Sequence, residues 1–334
     1  MTSGPSLGPL PEGPALLEVR HAIRRWVRGH CADGSGVAVA LSGGADSLAL
    51  TAAAVAEAGP VHALVVDHRL QDGSDAVAAQ AAERAVALGC ATARVLPVTV
   101  DGPGGLEAAA RRARYAALDA ARDGLPVLLG HTLDDQAETV LLGLARGSGP
   151  RSLAGMREND PPWVRPLLSV RRAVTERACV ELALTPYRDP HNVSPEFTRV
   201  RLRTEALPLL EQILGGGVAE ALGRTGAQLR EDGEVLDGLA AELLVDAGAD
   251  DGLDVAVLAG AHPALRRRAL RTWLLGRGAR GLTDRQLRAA DDLVGRWRGQ
   301  GGVAFGGGGP GVRLVLSRRR GMLSVGFVSE RPRQ

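Results

Sequence analysis

The sequence contains no lysine, so all 40 basic residues of its 334 are arginines. Without lysine, the glycine-rich turn at residues 42–47 is not a Walker A phosphate loop, which needs a lysine after its last glycine. Aromatic residues make up only 3% of the chain, and the formal net charge of +2 is too small to indicate nucleic-acid binding by itself. Arginine nevertheless suits bidentate contacts with phosphate, so phosphate ligands remain open.

Cysteine is also scarce. Cys31, Cys90 and Cys179 are far apart and form no C-x-x-C pair, which argues against a zinc or iron–sulfur site. No apolar run reaches the ~18 to 20 residues that span a bilayer. The first twenty residues lack the basic and apolar regions of a signal peptide. We therefore expect a cytoplasmic protein with reduced thiols and no membrane partner.

Apolar runs and helical patterns alternate in the first 150 residues. Strands are predicted at 37–41, 61–66, 93–98 and 127–130, and helices at 47–58, 74–88, 105–122 and 134–146. This order predicts an α/β fold with a doubly wound parallel sheet. Such sheets bind ligands outside the carboxyl ends of their strands, where this sequence places polar residues. We expect one cleft to collect them.

Beyond residue 146 the pattern changes. Helices are predicted near 170–184, across 197–245 and twice between 262 and 298, followed by a hairpin in "VRLVLSRRRGMLSVGF". The short "GGVAFGGGGPG" is predicted to be a loop. The sequence thus predicts a helical region and a small α+β C-terminal region after the sheet, with a catalytic domain at 1–195 and a second domain at 196–334.

The turn in "VAVALSGGADSLAL" joins a strand to a helix. Gly43 and Gly44 permit backbone conformations in which consecutive N–H groups face one concavity, beside the hydroxyls of Ser42 and Ser47. Such a nest at a helix N-terminus suits phosphate. The carboxylate of Asp46 would repel phosphate unless it binds a divalent cation or acts as a base.

Two other interpretations of this turn are open. "ALSGG" fits the G-x-S-x-G elbow of serine hydrolases with alanine in place of the first glycine, although no H-G-G oxyanion loop is present. An ordinary tight turn would use the glycines only to let strand and helix pack. That explanation leaves Asp46 without a role.

A second group of polar residues lies in "GHTLDDQAET", just after the fourth predicted strand. Asp134 and Glu138 are one helical turn apart, and Asp135 and Glu138 are three residues apart, so the acids share one face. First-turn acids also suit the helix dipole, which is the simpler explanation. Several acids with His131 near a phosphate nest instead predict Mg²⁺ or a cationic substrate.

These motifs carry a resemblance to a known family. "SGGADS" resembles the turn of the PP-loop, or N-type, ATP pyrophosphatases, which cleave ATP to AMP and pyrophosphate and activate a carbonyl oxygen as its adenylate. Within that superfamily, "VVDHRLQDGS", "LEAAARRARYAAL", "GHTLDDQAETVLLGLARGSGPRSLAGM", "RPLL" and "RDPHNVSPEFTRVRLRTEALPLL" are similar to the tRNA(Ile)-lysidine synthetase family. The similarity spans about residues 35–215, and the C-terminal third matches only loosely.

The resemblance implies an ATP-dependent C–N ligase of bacterial type. Such an enzyme attaches free L-lysine to the wobble cytidine of tRNA(Ile) with a CAU anticodon, by adenylating the cytosine carbonyl, and yields lysidine, AMP and pyrophosphate. ATP and Mg²⁺ are the implied cofactors, tRNA(Ile) and lysine the partners, and a homodimer is compatible with it. Another PP-loop tRNA-modifying enzyme, such as a cytidine thiolase, is the alternative, although thiolases with clustered cysteines do not fit this chain. A non-catalytic tRNA-binding protein is a further alternative.

The resemblance also implies roles for single residues. ATP would be bound by Ser42, Gly43, Gly44, Asp46, Ser47, Asp67 and His68. Catalysis would use Asp46, His131, Asp135 and Glu138, with Asp46 or Asp135 as the base for the lysine amine. Mg²⁺ would be bound by Asp46 and Asp134, and lysine by Arg114, Asp135 and Glu138. The tRNA would contact Asn192, Arg199, Arg201 and Arg203.

Further expectations concern the arginines and two departures from the family. Arg111 and Arg114 are expected on a helix that faces the cleft. Arg199 and Arg203, at i and i+4, are expected to share one helix face toward RNA. The chain has Thr132 where the family commonly has a second histidine, and Val200 where members often have asparagine.

Overall fold

The computed structural model describes residues 13–31, 34–103, 105–147, 149–189, 196–249, 252–309 and 311–329. The chain divides into two compact units. The first comprises residues 1–147 and 152–226, and the second comprises 148–151 and 227–334. The predicted boundary at residue 195 concerns the roles of the two parts and stays a prediction.

The first unit is built on a six-stranded sheet. Its strands are β1 (Val37–Ala40), β2 (Val61–Asp67), β3 (Thr92–Pro97), β4 (Val127–Leu128), β5 (Asn159–Asp160) and β6 (Trp163–Val164). They lie in the order β3-β2-β1-β4-β6-β5, with all pairs parallel except β5 with β6. The helices are α1 (Pro14–His30), α2 (Ala45–Glu57), α3 (Ser74–Ala87), α4 (Leu106–Ala121), α5 (Leu133–Arg146) and α7 (Arg172–Glu181). The short α6 (Pro150–Leu153) has residues in both units.

Both faces of this sheet are covered, which confirms the doubly wound prediction. Along β1, Val37 and Val39 join a core formed with α1, α2, α3 and α7, while Ala38 joins a second core against α4. A strand buried on both faces is apolar throughout, as "VAVA" is. The chain runs from β1 outward to β3 and then returns to the other side of β1 as β4. The carboxyl ends of β1 and β4 therefore form the crevice in which such sheets bind ligands.

The stretch predicted as helix across 197–245 is divided into segments. It comprises α8 (Thr198–Arg201), a π-helical turn (Leu202–Ala206), α9 (Leu207–Leu214) and α10 (Val218–Ala247). The break between α9 and α10 follows from three glycines at 215–217, all with positive φ, which other residues rarely adopt. Helix α1 and the two-residue strands β5 and β6 were not predicted.

The second unit has its own antiparallel sheet and core. Strands β7 (Gly248–Ala249), β8 (Gly252–Asp254), β9 (Val303–Phe305), β10 (Val312–Arg319) and β11 (Met322–Ser329) lie in the order β7-β8-β11-β10-β9. Helices α11 (Val255–Gly260), α12 (Pro263–Gly276) and α13 (Asp284–Gly295) accompany them. The predicted hairpin is confirmed as β10–β11. The predicted loop at 301–311 is wrong in part, because buried Phe305 joins the core and β9 pairs with β10.

Candidate active site

A cavity of about 1140 Å³ opens at the carboxyl ends of β1, β2 and β4. It brings together ten of the predicted site residues: Ser42, Gly44, Asp46, Ser47, Asp67, His68, Arg114, His131, Asp135 and Arg203. Gly43, Asp134 and Glu138 do not line it but contact residues that do. Arg199 and Arg201 lie outside its lining, and Asn192 lies outside the described residues.

The turn between β1 and α2 forms the predicted nest. Gly43 has φ +81°, in the left-handed region that favours glycine, and Gly44 precedes the first residue of α2. The Ser42 N–H donates to Ser47 Oγ over 3.2 Å, and Ser47 Oγ donates to the Gly44 carbonyl over 3.0 Å. The Tyr187 N–H donates to the Gly43 carbonyl over 2.9 Å. The turn is therefore held in place by its own serines and by the segment after α7.

Asp46 lies in the first turn of α2, close to the nest. Arg172 Nε donates to its Oδ2 over 3.3 Å, and the Thr175 hydroxyl donates to its Oδ1. Burial raises the pKa of Asp46 above its usual value, and the opposing effects of Arg172 and Thr175 do not cancel this. Asp46 is thus a carboxylate with an increased affinity for a proton, and a nearby cation would stabilise its charged form.

The pKa of Asp135 is shifted in the opposite direction. Its Oδ2 accepts the Thr132 N–H over 2.8 Å and the Thr132 hydroxyl over 2.9 Å, which forms a capping box at the start of α5. Its Oδ1 accepts from Arg172 Nη2 over 2.7 Å and from Arg203 Nη2 over 3.3 Å. Burial alone would raise the pKa of Asp135, but Arg172, the Thr132 N–H and Arg203 hold it below its usual value. Asp135 therefore stays ionised.

Glu138 is fully buried and is balanced by the same two arginines. Its Oε1 accepts from Arg203 Nε over 2.8 Å and lies 3.5 Å from Arg172 Nη1. Three carboxylates, those of Asp46, Asp135 and Glu138, thus contact two guanidiniums. This leaves one formal negative charge, which an ammonium group or a metal ion could balance. We call these five residues the acid–arginine cluster.

Asp134 is oriented differently from the other acids. Its Oδ2 accepts the backbone N–H of Arg172 over 2.7 Å, at the start of α7, and its Oδ1 pairs with Arg171 over 3.1 Å. It therefore caps a helix N-terminus, where a negative charge is favourable. Among the residues that the structure describes, no group of three or more histidine, cysteine, aspartate or glutamate side chains could hold a metal ion.

Arg203 departs from the expectation that it shares an RNA-facing surface with Arg199. Its guanidinium contacts Asp135 and Glu138 instead. The π-helical turn at Leu202–Ala206 lies at this point and changes the helical register. Arg201 pairs with Glu205 over 3.0 Å at an exposed position. The predicted tRNA contacts of these arginines stay predictions.

Two histidines bring neutral imidazoles to the cavity. Burial lowers the pKa of His131 to about 3, and Arg114 and Arg165 add to this effect. Burial and Arg114 also lower the pKa of His68. The Nδ1 atoms of both rings are buried without a hydrogen-bond partner in the described part of the chain. Each ring therefore retains hydrogen-bonding capacity for a ligand.

Sequence reasoning did not identify Arg172 and Thr175. Both come from the start of α7, 126 and 129 residues after Asp46. Thr175 is fully buried, and a buried threonine on a helix that holds a carboxylate is not visible in a local pattern. Arg172 follows Arg171 in a chain with 40 arginines, so the presence of an arginine at this position does not by itself indicate a site residue.

Comparisons with protein-family models and with known proteins indicate the same family. The PP-loop domain family matches residues 17–210, and the TilS substrate binding domain family matches residues 253–324. The tRNA(Ile)-lysidine synthase of Rhodococcus jostii is 67% identical over 322 residues, covering 96% of this chain and 99% of the relative. That of Nocardia farcinica is 69% identical over 309 residues, covering 92% and 97%.

One solved structure shows the same fold at low identity. A U34-tRNA thiolase from Methanococcus maripaludis has a TM-score of 0.53 and 18% identity, covering 65% of this chain and 80% of the thiolase. This similarity concerns the fold alone. Within the described ranges, none of the helices combines the length and apolar character that a membrane crossing requires.

Proposed function

Because the chain belongs to the tRNA(Ile)-lysidine synthase family, we propose that it attaches free L-lysine to the wobble cytidine of tRNA(Ile) with a CAU anticodon. It is an ATP-dependent ligase, and the products are lysidine-containing tRNA, AMP and pyrophosphate. The observation that carries the proposal is that one cavity is lined both by residues of the phosphate nest and by four of the five residues of the acid–arginine cluster. The nest supports ATP use, and the cluster supports use of a cationic co-substrate.

In the first step, the carbonyl oxygen of cytosine attacks the α-phosphorus of ATP. A bond forms between that oxygen and the phosphorus, and the bond to the β-phosphate bridging oxygen breaks. The N–H groups of the nest and the N-terminus of α2 stabilise the charge that develops on the departing pyrophosphate. We assign this role to Ser42, Gly43, Gly44 and Ser47, and place Asp67 and His68 near the adenosine.

Mg²⁺ fits this site through a small number of protein ligands. Magnesium commonly uses one or two carboxylates together with substrate phosphates and water. Asp46 lines the cavity beside the nest and is the first choice, whereas Asp134 is bonded to Arg171 and to the N-terminus of α7. When bound, Mg²⁺ would neutralise negative charge on the phosphates.

In the second step, the lysine amine attacks the activated ring carbon and AMP departs. An amine attacks only when neutral, and the reference pKa of the lysine side chain is ~10.4, so a carboxylate must accept the proton. Asp46 and Asp135 are the two candidate bases: Asp46 has the raised pKa and Asp135 the lowered one, and Asp46 can serve only when it does not hold Mg²⁺. We propose that Asp135 and Arg114 bind lysine at the cavity, that buried Glu138 contributes to lysine binding through Arg203, and that neutral His131 supports Asp135.

The competing thiolase function is not favoured by the cysteines. Cys90 and Cys179 are buried, and burial raises the pKa of Cys90 to about 12 and that of Cys179 to about 11. Neither thiol is therefore a thiolate at neutral pH, as sulfur transfer would require. All three cysteines are free.

We further propose the division of labour expected from the sequence. Residues 1–195 form the catalytic domain, and residues 196–334 form the tRNA-binding region, with Asn192, Arg199 and Arg201 as additional tRNA contacts. Because tRNA, ATP and free lysine are the proposed substrates, we propose a cytoplasmic location. A homodimer stays a prediction.

The direct test supplies ATP, radiolabelled lysine and a tRNA(Ile) transcript with a CAU anticodon. We expect lysine to become bound to the tRNA, with release of AMP and pyrophosphate. The matched control is the same transcript with uridine in place of the wobble cytidine, which should accept no lysine. The proposal would be contradicted if both transcripts were labelled equally. It would also be contradicted if the folded protein labelled neither transcript.

A further inference from the structure

Two arginines flank one tyrosine outside the acid–arginine cluster, and two further arginines of the first unit lie near them. The guanidinium carbons of Arg111 and Arg114 lie 4.8 and 5.4 Å from the ring centroid of Tyr115, and Arg111 Nη2 donates to the Tyr115 hydroxyl over 3.2 Å. Arg165 and Arg199 lie close enough for their positive charges to lower the pKa of Arg111. We call Arg111, Arg114, Arg165 and Arg199 with Tyr115 the tyrosine–arginine cluster.

Positive charge dominates this cluster. In the part of the chain that the structure describes, Asp160 is the carboxylate that reaches it, 3.7 Å from Arg165, and its side chain is 55% exposed. The Nε atoms of Arg114 and Arg165 are buried without a hydrogen-bond partner in those same residues. Burial and the three other arginines lower the pKa of Arg111, as expected where like charges crowd. The cluster therefore carries an excess of positive charge that an anion would balance.

The position of the cluster indicates the size of that anion. Arg114 lines the cavity, together with His68 and His131, whereas Arg111, Arg165 and Arg199 do not. The cluster thus begins at the cavity and continues outside it. The nest already provides a site for the phosphates of ATP. An anion that uses the whole cluster must therefore extend beyond the cavity, as a nucleic-acid strand does.

We propose that Arg111, Arg165 and Arg199 of the tyrosine–arginine cluster bind the sugar–phosphate backbone of single-stranded RNA beside the nucleotide that enters the cavity, while Arg114 faces lysine inside it. This inference rests on the proposed function. Guanidinium forks bind phosphate through paired hydrogen bonds, and the Tyr115 ring holds the planes of Arg111 and Arg114 in place. Loop RNA is recognised with its bases splayed out, which leaves its phosphates free for such contacts.

The test is a binding titration without ATP or lysine. The probe is a fluorescent RNA stem-loop with a CAU anticodon, and the variant is Arg111→Gln with Arg199→Gln. We expect at least a several-fold loss of affinity, and a salt dependence shallower by about 1.4, since each contact to single-stranded phosphate contributes about 0.7 to the slope. Arg111→Lys should retain most of the slope, because it keeps the charge.

Arg112→Gln is the matched control. Arg112 is also exposed on α4, but its guanidinium donates to the Pro103 carbonyl over 2.6 Å and is not part of the cluster. It should bind RNA as the wild type does, and the double variant should bind a non-hydrolysable ATP analogue normally. An unchanged RNA affinity and slope in the folded double variant, an equal loss in Arg112→Gln, or a loss confined to the ATP analogue would each overturn the proposal.

The same titration separates this inference from the proposed function. If the wild type binds the stem-loop through the cluster but transfers no lysine to tRNA(Ile), the proposed function fails and the RNA site stands. If lysine transfer occurs and the double variant binds RNA with the same affinity as the wild type, the proposed function stands and the proposed RNA site is wrong.

Discussion

Asp46 and Asp135 illustrate how two aspartates in one cavity acquire different properties. Asp135 is contacted by two arginines and by the N-terminal donors of its own helix, and stays ionised. Asp46 has one arginine contact and one hydroxyl contact, which do not offset its burial. The acids could be predicted because they lie in two short motifs. Their different protonation could not, because it depends on Arg172 from a distant helix.

Replacing Asp46 with asparagine should separate catalysis from stability. We expect Asp46→Asn to slow pyrophosphate release at least ~100-fold, because an amide binds Mg²⁺ more weakly than a carboxylate and several kcal/mol of charge stabilisation on the phosphates would be lost. A raised pKa means that the folded protein binds this proton more tightly than the unfolded chain. The wild type therefore loses stability as pH rises from the unfolded pKa through the folded one.

The variant lacks that ionisation, so its melting temperature at pH 7 should equal or exceed that of the wild type. Thermal melts at pH 4 and pH 7 with a pyrophosphate assay check both parts. Unchanged pyrophosphate release would remove Asp46 from the mechanism, and a large drop in melting temperature at pH 7 would contradict its raised pKa.

Glu138 shows how the structure changes an expectation from the sequence. As a residue near a helix start, it could be an exposed acid of little structural importance. The structure instead places it fully buried and paired with Arg203. Replacing Glu138 removes two hydrogen bonds to Arg203, although Arg203 keeps its contact with Asp135.

We therefore expect Glu138→Gln to raise the KM for lysine and also to lower the free energy of unfolding, by about 1 to 3 kcal/mol, the usual loss when hydrogen bonds to a buried charged group are weakened. Arg203→Gln added to it should restore part of the stability but not the lysine KM, because the two residues interact directly. Urea unfolding of both single variants and the double variant gives the coupling energy. A coupling near zero would mean that the pair contributes little to the fold.

The secondary structure of the first unit follows closely from the sequence. The predicted helices at 47–58, 74–88, 105–122 and 134–146 agree with α2 to α5 within two residues at each end. Their apolar periodicity and bounding glycines carry that information. Strands β5 and β6 have two residues each, too few for an alternating pattern, and they form because β6 pairs with β4. The three glycines before α10 could have predicted its start.

The N-terminus of α5 offers a test of how a helix cap influences the cavity. Thr132 forms a capping box with Asp135. We expect Thr132→Ala to destabilise the protein by about 1 kcal/mol, the usual loss for an N-cap, and to raise the lysine KM, because Asp135 loses a hydrogen bond.

Thr283 is the matched control, since it forms a capping box with Gln286 at the start of α13 in the second unit. Thr283→Ala should also lower stability but leave the lysine KM unchanged. Melting curves and lysine kinetics compare the two. An equal KM in both variants would reduce Thr132 to a purely structural role.

Over the whole chain, the arginines that sequence alone presents as equivalent have different environments. Arg266, Arg267 and Arg268 form a basic run on α12 that reads as an RNA-binding face. In the structure Arg266 and Arg267 contact Asp291, over 2.8 and 3.6 Å, and Arg268 contacts Asp237. These three are therefore already paired with carboxylates, whereas the tyrosine–arginine cluster keeps most of its charge. Residue type predicted the chemistry, but only tertiary contacts distinguish the paired arginines from the available ones.

The two units have separate cores, so damage to one should leave the other's ligand binding intact. Asp291 is buried and accepts two hydrogen bonds from Arg266, so Asp291→Asn leaves that arginine without its counter-charge. We expect it to lower the melting temperature of the second unit and to reduce lysine transfer to tRNA(Ile). Binding of an ATP analogue to the first unit should persist.

Asp284→Asn is the matched control, because Asp284 forms an exposed pair with Arg288 on the same helix. It should have little effect on the melting temperature or on lysine transfer. If Asp291→Asn abolished ATP binding as well, the two units would unfold as one, and the assignment of separate roles to them would need to be abandoned.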